Sequence, residues 1–235
     1  MDPDTRIGGP QNRFPETRGS ILLQLNATDC EIRSRAWDTI ASVYWKPLYA
    51  YQRFRWKLSN EDAKDLIQGF FQHVVEKDCL TAYDESQASF RTFLRLCFDR
   101  YSANEWKSAQ RIKRGGAVRM ETLDDAVPAA ADVEALFHRE WIRNVFALSV
   151  AELKHQASEA QFEVFSRYDL SDPNLRPTYS QLSEALGLPA TTITNHLAAM
   201  RRRLRQIVLQ KLRELTATDR EYRNEARAVL GIEVE

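Results

Sequence analysis

The sequence predicts an all-α protein built as two helical units joined by an acidic linker. Three observations carry this. Apolar residues recur at helical spacing through most of the chain. No segment shows the sustained apolar-polar alternation of a half-buried strand. Glycine and proline number only 8 each in 235 residues, too few for a turn-rich all-β chain. The 43% hydrophobic and 28% charged fractions describe an ordinary globular protein rather than a disordered one.

The elements follow in order. Residues 31–56 carry Trp37, Ile40, Val43, Tyr44, Leu48 and Tyr51 near helical spacing, and Pro47 is expected to kink or break that helix. Residues 61–77 place Leu66 and Ile67, Phe70 and Phe71, Val74 and Val75 in a double stripe. A loop at 83–89 precedes a helix over 90–114, with Phe90, Phe93, Leu94, Cys97, Phe98 and Tyr101 apolar. Gly115-Gly116 stops it. The stretch 115–133 holds Pro128 and no sustained period, and reads as a linker. Residues 134–168 read as two more helices. The resulting division is 14–114, a linker at 115–133, 134–214, and a C-terminal extension at 215–235 that has room for one more short helix. That helix either packs on the C-terminal unit or takes part in regulation.

The three cysteines (Cys30, Cys79 and Cys97) are odd in number and widely spaced, with no C-x-x-C pair. A reducing cytoplasm is the simplest compartment for them. No run approaches the roughly 18 apolar residues of a membrane span, and the first residues lack a signal-peptide core. The four histidines are scattered, so no metal or cofactor is expected.

Lysine plus arginine and aspartate plus glutamate balance at 33 each, but not locally. The order along the chain is basic (91–114), acidic (121–140), basic (178–213). Within the last block, Thr178 and Gln181 fit a capping box. Gly187-Leu188-Pro189 makes a tight turn into a second helix. Ile193, Leu197, Met200, Leu204 and Ile207 form its inner face. Thr191, Thr194, Asn195, Ala198, Arg201, Arg202 and Arg205 lie on the other. Short polar groups at a helix start, followed by arginines, suit a major groove and its phosphates. An amphipathic helix hairpin with a solvated basic face is the competing reading. His196 is solvated or DNA-facing on either.

The stretch Asp62-Ala63-Lys64-Asp65-Leu66-Ile67-Gln68-Gly69-Phe70-Phe71 resembles the second conserved region of bacterial RNA polymerase sigma factors. By that resemblance Asp62, Asp65, Gln68 and Gln72 meet the core polymerase, while Phe70 and Val74 hold the helix in its own bundle. Gly69 departs from the family, which often has an acidic residue there. The following FRTFLRLCFDRYSANEWKSAQRIKR resembles the promoter-melting, minus-ten-reading helix of the extracytoplasmic-function class, whose preceding loop captures a flipped base. The resemblance then assigns Ser86, Arg91, Arg95, Arg100, Asn104, Trp106, Lys107 and Arg111 to minus-ten DNA. Cations along the backbone and aromatic surfaces suit unstacked bases, although Phe93, Phe98 and Tyr101 also read as core. Asn104 and Arg100 stand where the class commonly has Asp and Asn.

Residues 178–208 are similar to the fourth region of the same class, which reads the minus-thirty-five element. This assigns Thr191, Thr192, Thr194, Asn195, His196, Arg201, Arg202 and Arg205 to that DNA. Thr194 and His196 replace two cations of the family, so a different sequence should be read. The resemblance covers roughly 14–114 and 134–214. It implies a promoter-specificity subunit, with core RNA polymerase and promoter DNA as partners and an anti-sigma protein as a further candidate. The acidic linker either mimics nucleic acid in the polymerase channel or is merely solvated. A stand-alone helix-turn-helix regulator with an N-terminal dimerisation or sensing domain is the alternative. An enzyme is not expected, because no H-E-x-x-H, P-loop, G-x-G-x-x-G or G-x-S-x-G motif is present.

Overall fold

The computed structural model describes residues 21–25, 27–114 and 130–232. The sequence-expected start of the first unit at 14–20, Gly115-Gly116 and most of the linker lie outside these residues. Among the described residues every regular element is helical. The α-helices are α1 (Ile21–Gln24), α2 (Cys30–Trp56), α3 (Asn60–Lys77), α4 (Phe90–Arg114), α5 (Ala130–Gln156), α6 (Glu159–Asp169), α7 (Tyr179–Leu186), α8 (Ala190–Glu214) and α9 (Asp219–Leu230).

Local chemistry sets most helix starts. Asp29 caps α2, accepting from the Glu31 and Ile32 amides at 2.8 and 3.3 Å. Ser59, Ser158 and Thr218 cap α3, α6 and α9 in the same way. Thr178 and Gln181 form the expected capping box of α7.

Pro47 does not break α2, which runs unbroken through it. A proline removes an amide donor, so the carbonyl four residues earlier, on Val43, loses its helical partner. Asn144 of α5 replaces it. Its Nδ2 donates to the Val43 carbonyl at 2.8 Å and to the Ser42 carbonyl at 2.9 Å. The defect is thus satisfied by a neighbouring helix.

The start of α5 also corrects the sequence reading. It begins at Ala130, inside the stretch assigned to the linker, because Val133, Phe137, Trp141 and Val145 form a buried stripe at steps of four. That stripe lies along α2, the most extensive helix pairing in the fold. One apolar core runs through α2, α3, α4 and α5 and takes in Val208 and Leu212 of α8, Leu215 at its C-cap and Ala226 of α9. Two smaller clusters complete the other end. Leu153, Phe165, Met200 and Ile207 form one, and Val164, Leu182, Ile193 and Leu197 the other. No helix among the described residues is long and apolar enough to cross a membrane.

Candidate nucleic-acid interface

Helix α3 sorts its residues cleanly. Ala63, Ile67, Phe70 and Val74 are buried. Asp62, Asp65, Gln68 and Gln72 are exposed on the opposite side, forming one polar stripe. Asp62 is partly used locally, since its Oδ2 accepts from the capping Ser59 hydroxyl at 2.7 Å. Gln72 donates to Glu76 at 2.8 Å.

Gly69 has a packing reason. A Cβ there would lie 2.5 Å from the Tyr101 hydroxyl oxygen of α4. The Tyr101 ring is itself held against Phe70 and His73, with centroids at 5.7 and 5.1 Å. Gly69→Ala is therefore expected to destabilise by about 1–3 kcal/mol through overpacking, despite a propensity gain of about 1 kcal/mol. In a Tyr101→Phe background the next ring atom is 3.6 Å away, and the same substitution should become stabilising. Thermal melts of the four chains read the sign change; an unchanged sign would exclude the ring as the cause.

The basic helix α4 has two faces of different fate. Arg91 and Arg95 turn inward, their side chains only 17% and 13% exposed. The Arg91 guanidinium pairs with Glu225 of α9 at 2.7 Å and lies 4.7 Å above the Trp141 ring. Arg95 pairs with Asp99 at 3.0 Å. Asp99 also accepts from the Tyr51 hydroxyl at 2.7 Å and pairs with Arg55 at 3.2 Å. Burial first, and then the Asp99 carboxylate, raise the Tyr51 phenol above its ordinary range. Two candidate DNA contacts are thus engaged inside the fold.

The outward face keeps Arg100, Asn104 and Lys107. Arg100 and Asn104 are exposed and line a cavity of about 300 Å³ between α3 and α4, together with Phe70, His73, Cys97 and Tyr101. Arg100 also borders an adjoining cavity of about 200 Å³, walled by the 84–88 loop, Phe93 and Leu96. Ser86 belongs to this loop and organises it. Its amide and hydroxyl donate to Asp84 Oδ1 at 2.9 and 2.7 Å, and Gln87 donates to Oδ2 at 3.0 Å. These bonds hold the Asp84 carboxyl below its usual range. Trp106 lies tilted against Trp56 with centroids at 5.3 Å, and Lys107 is exposed. The Arg111 side chain lies outside the described residues.

At the other end, α7 and α8 form two helices joined at Gly187, whose φ of 63° is left-handed. Pro189 occupies the N-cap position of α8. Thr191, Thr194 and Asn195 are exposed on the first turns, while Thr192 and His196 are half-buried. Thr194 donates to the Ala190 carbonyl at 3.0 Å. Arg201 makes a two-pronged bond to Asp169, both arms at 2.9 Å. Arg202 and Arg205 are exposed. The described residues contain no group of three or more His, Cys, Asp or Glu placed to hold a metal ion.

Residues that sequence reasoning did not single out complete these surfaces. Asp99 anchors three neighbours, and only its i, i+4 spacing from Arg95 hints at this. Glu221 and Glu225, in the C-terminal extension, reach the start of α4 across more than 130 residues, and no local pattern signals it. No family model, curated protein or solved structure matches the chain.

Proposed function

We propose that this chain is a cytoplasmic transcription initiation factor. It binds bacterial core RNA polymerase and directs it to specific promoters. The observation that carries the reading is α3: a buried apolar stripe backs an exposed row of Asp62, Asp65, Gln68 and Gln72, on the segment that resembles the polymerase-docking helix. The role needs no covalent chemistry. It needs a polymerase contact, a surface for separated strands and a duplex reader.

In this reading α3 docks on the polymerase. The cavity beside the 84–88 loop accepts a base turned out of the stack, with Arg100 and Asn104 at its rim and Lys107 near the backbone. Helix α8 enters a major groove with Thr191, Thr194 and Asn195 leading and Arg202 and Arg205 toward phosphate. Arg91, Arg95 and Arg201 contribute only after leaving their present carboxylate partners. An anti-sigma protein would be a natural regulator of such a chain.

Size-exclusion co-elution with cognate core polymerase tests the reading. Wild type should co-elute and Asp65→Arg should not, because the exposed position leaves the fold intact and reverses the docking charge. A folded wild-type chain that fails to co-elute, yet retards duplex DNA alone, would establish the stand-alone regulator instead.

A further inference from the structure

We propose that α9 is an intramolecular latch that closes over the start of α4 and withholds the Arg91 guanidinium from single-stranded nucleic acid; the proposal rests on the reading of α4 as a strand-contacting helix. The latch is made of two carboxylates one helical turn apart. Glu221 Oε1 accepts from the Phe90 amide at 2.7 Å and from the Tyr83 hydroxyl at 3.1 Å. Its Oε2 accepts from the Ala217 amide at 2.9 Å. Glu225 takes Arg91 at 2.7 Å. Both glutamates are buried, at 9% and 5% exposure.

Two features suit release rather than permanence. First, α9 is short and strongly charged, and Ala226 is its only fully buried apolar residue. A 12-residue helix does not persist in water without tertiary contacts. Tyr222, Val229 and Leu230 pack on the core but are only partly buried, and the bonds that tie α9 to the start of α4 are polar. Second, a buried ion pair gains little net stability after desolvation. Burial pushes the Glu225 carboxyl upward, and Arg91 only partly pulls it back. A phosphate offers the guanidinium a comparable charge-assisted bond without that burial.

Tyr83 extends the consequence to the neighbouring loop. The same Glu221 oxygen holds the helix start and the loop's first side chain. Closing α9 thus sets both Arg91 and the loop that walls the smaller cavity. Nucleic acid and latch compete for one cation, so each weakens the other by the same factor.

The test uses the full chain and a short fluorescein-labelled oligothymidylate, read by anisotropy at low salt. Glu225→Gln should tighten binding on the order of ten-fold, and adding Arg91→Gln should remove the gain. Glu221→Gln, which keeps the ion pair, is the second variant and should raise hydrogen exchange at the Phe90 amide. In the wild type, saturating oligothymidylate should raise exchange across 219–230, a readout that depends on no substitution. Unchanged affinity in Glu225→Gln with α9 released, or unchanged wild-type exchange at saturation, overturns the latch. Polymerase co-elution separates the two readings. Ten-fold tightening without co-elution keeps the latch and drops the polymerase, whereas co-elution without tightening does the reverse.

Discussion

Asp99→Ala should cost about 3 kcal/mol, because it removes the close carboxylate partner of two largely buried guanidiniums at once and leaves Arg95 only a longer contact to Glu134 at 3.8 Å. Asp99 is only 18% exposed and holds Arg55, Arg95 and the Tyr51 hydroxyl. Both guanidiniums also lie against the Tyr51 ring, at 5.7 and 5.9 Å from its centroid. Removing the carboxylate leaves two like charges near each other, with Glu134 beside Arg95 as the remaining acidic partner. For a chain of this size the loss corresponds to a fall of roughly 6–12 °C in Tm. Replacing Asp99 with Leu and Arg95 with Met together should recover much of it, since a well-packed apolar pair often matches a buried ion pair. Thermal unfolding of the single and double variants measures this. A double variant as unstable as the single one would show that Arg55, not Arg95, suffers most.

Trp141→Ala should cost about 3–5 kcal/mol, the range for truncating a large buried aromatic. Trp141 is 1% exposed and sits in the cluster that joins α5 to α2. It also floors the Arg91 guanidinium, so the substitution weakens the ion pair to α9. Because one core spans both sides of the 115–129 segment, the variant should unfold in a single transition shifted as a whole. Far-ultraviolet dichroism and tryptophan fluorescence followed together check it. Two transitions, with only one of them moved, would mean that the halves unfold independently.

Much of the local structure was legible before any coordinates. The α3 stripe follows from Ile67, Phe70 and Val74 alone, because a helix places residues three and four apart on one face. The start of α7 follows from Thr178 and Gln181, and its end from Gly187, whose missing Cβ suits the left-handed turn. These are properties of neighbours in sequence. The polar row on α3 and the short side chains opening α8 were legible for the same reason.

What each charged side chain faces was not. Arg91 and Arg95 read as free cations in a basic run, yet a glutamate from α9 and an aspartate one turn away take them. Gly69 read as a departure from the family pattern, yet it makes room for Tyr101. Pro47 read as a kink or a break, yet α2 continues through it and Asn144 supplies the missing donor.

By itself the sequence determined the helical class, the capped helix ends, the buried stripes and the placement of charge along the chain, since these depend on period and on neighbouring backbone groups. Only the tertiary structure decided that α5 lies along α2, that α9 closes over α4, and which cations keep an exposed face. Those outcomes depend on contacts between residues as far as 138 positions apart. A hydrogen bond or ion pair across such a distance leaves no period in the chain to read.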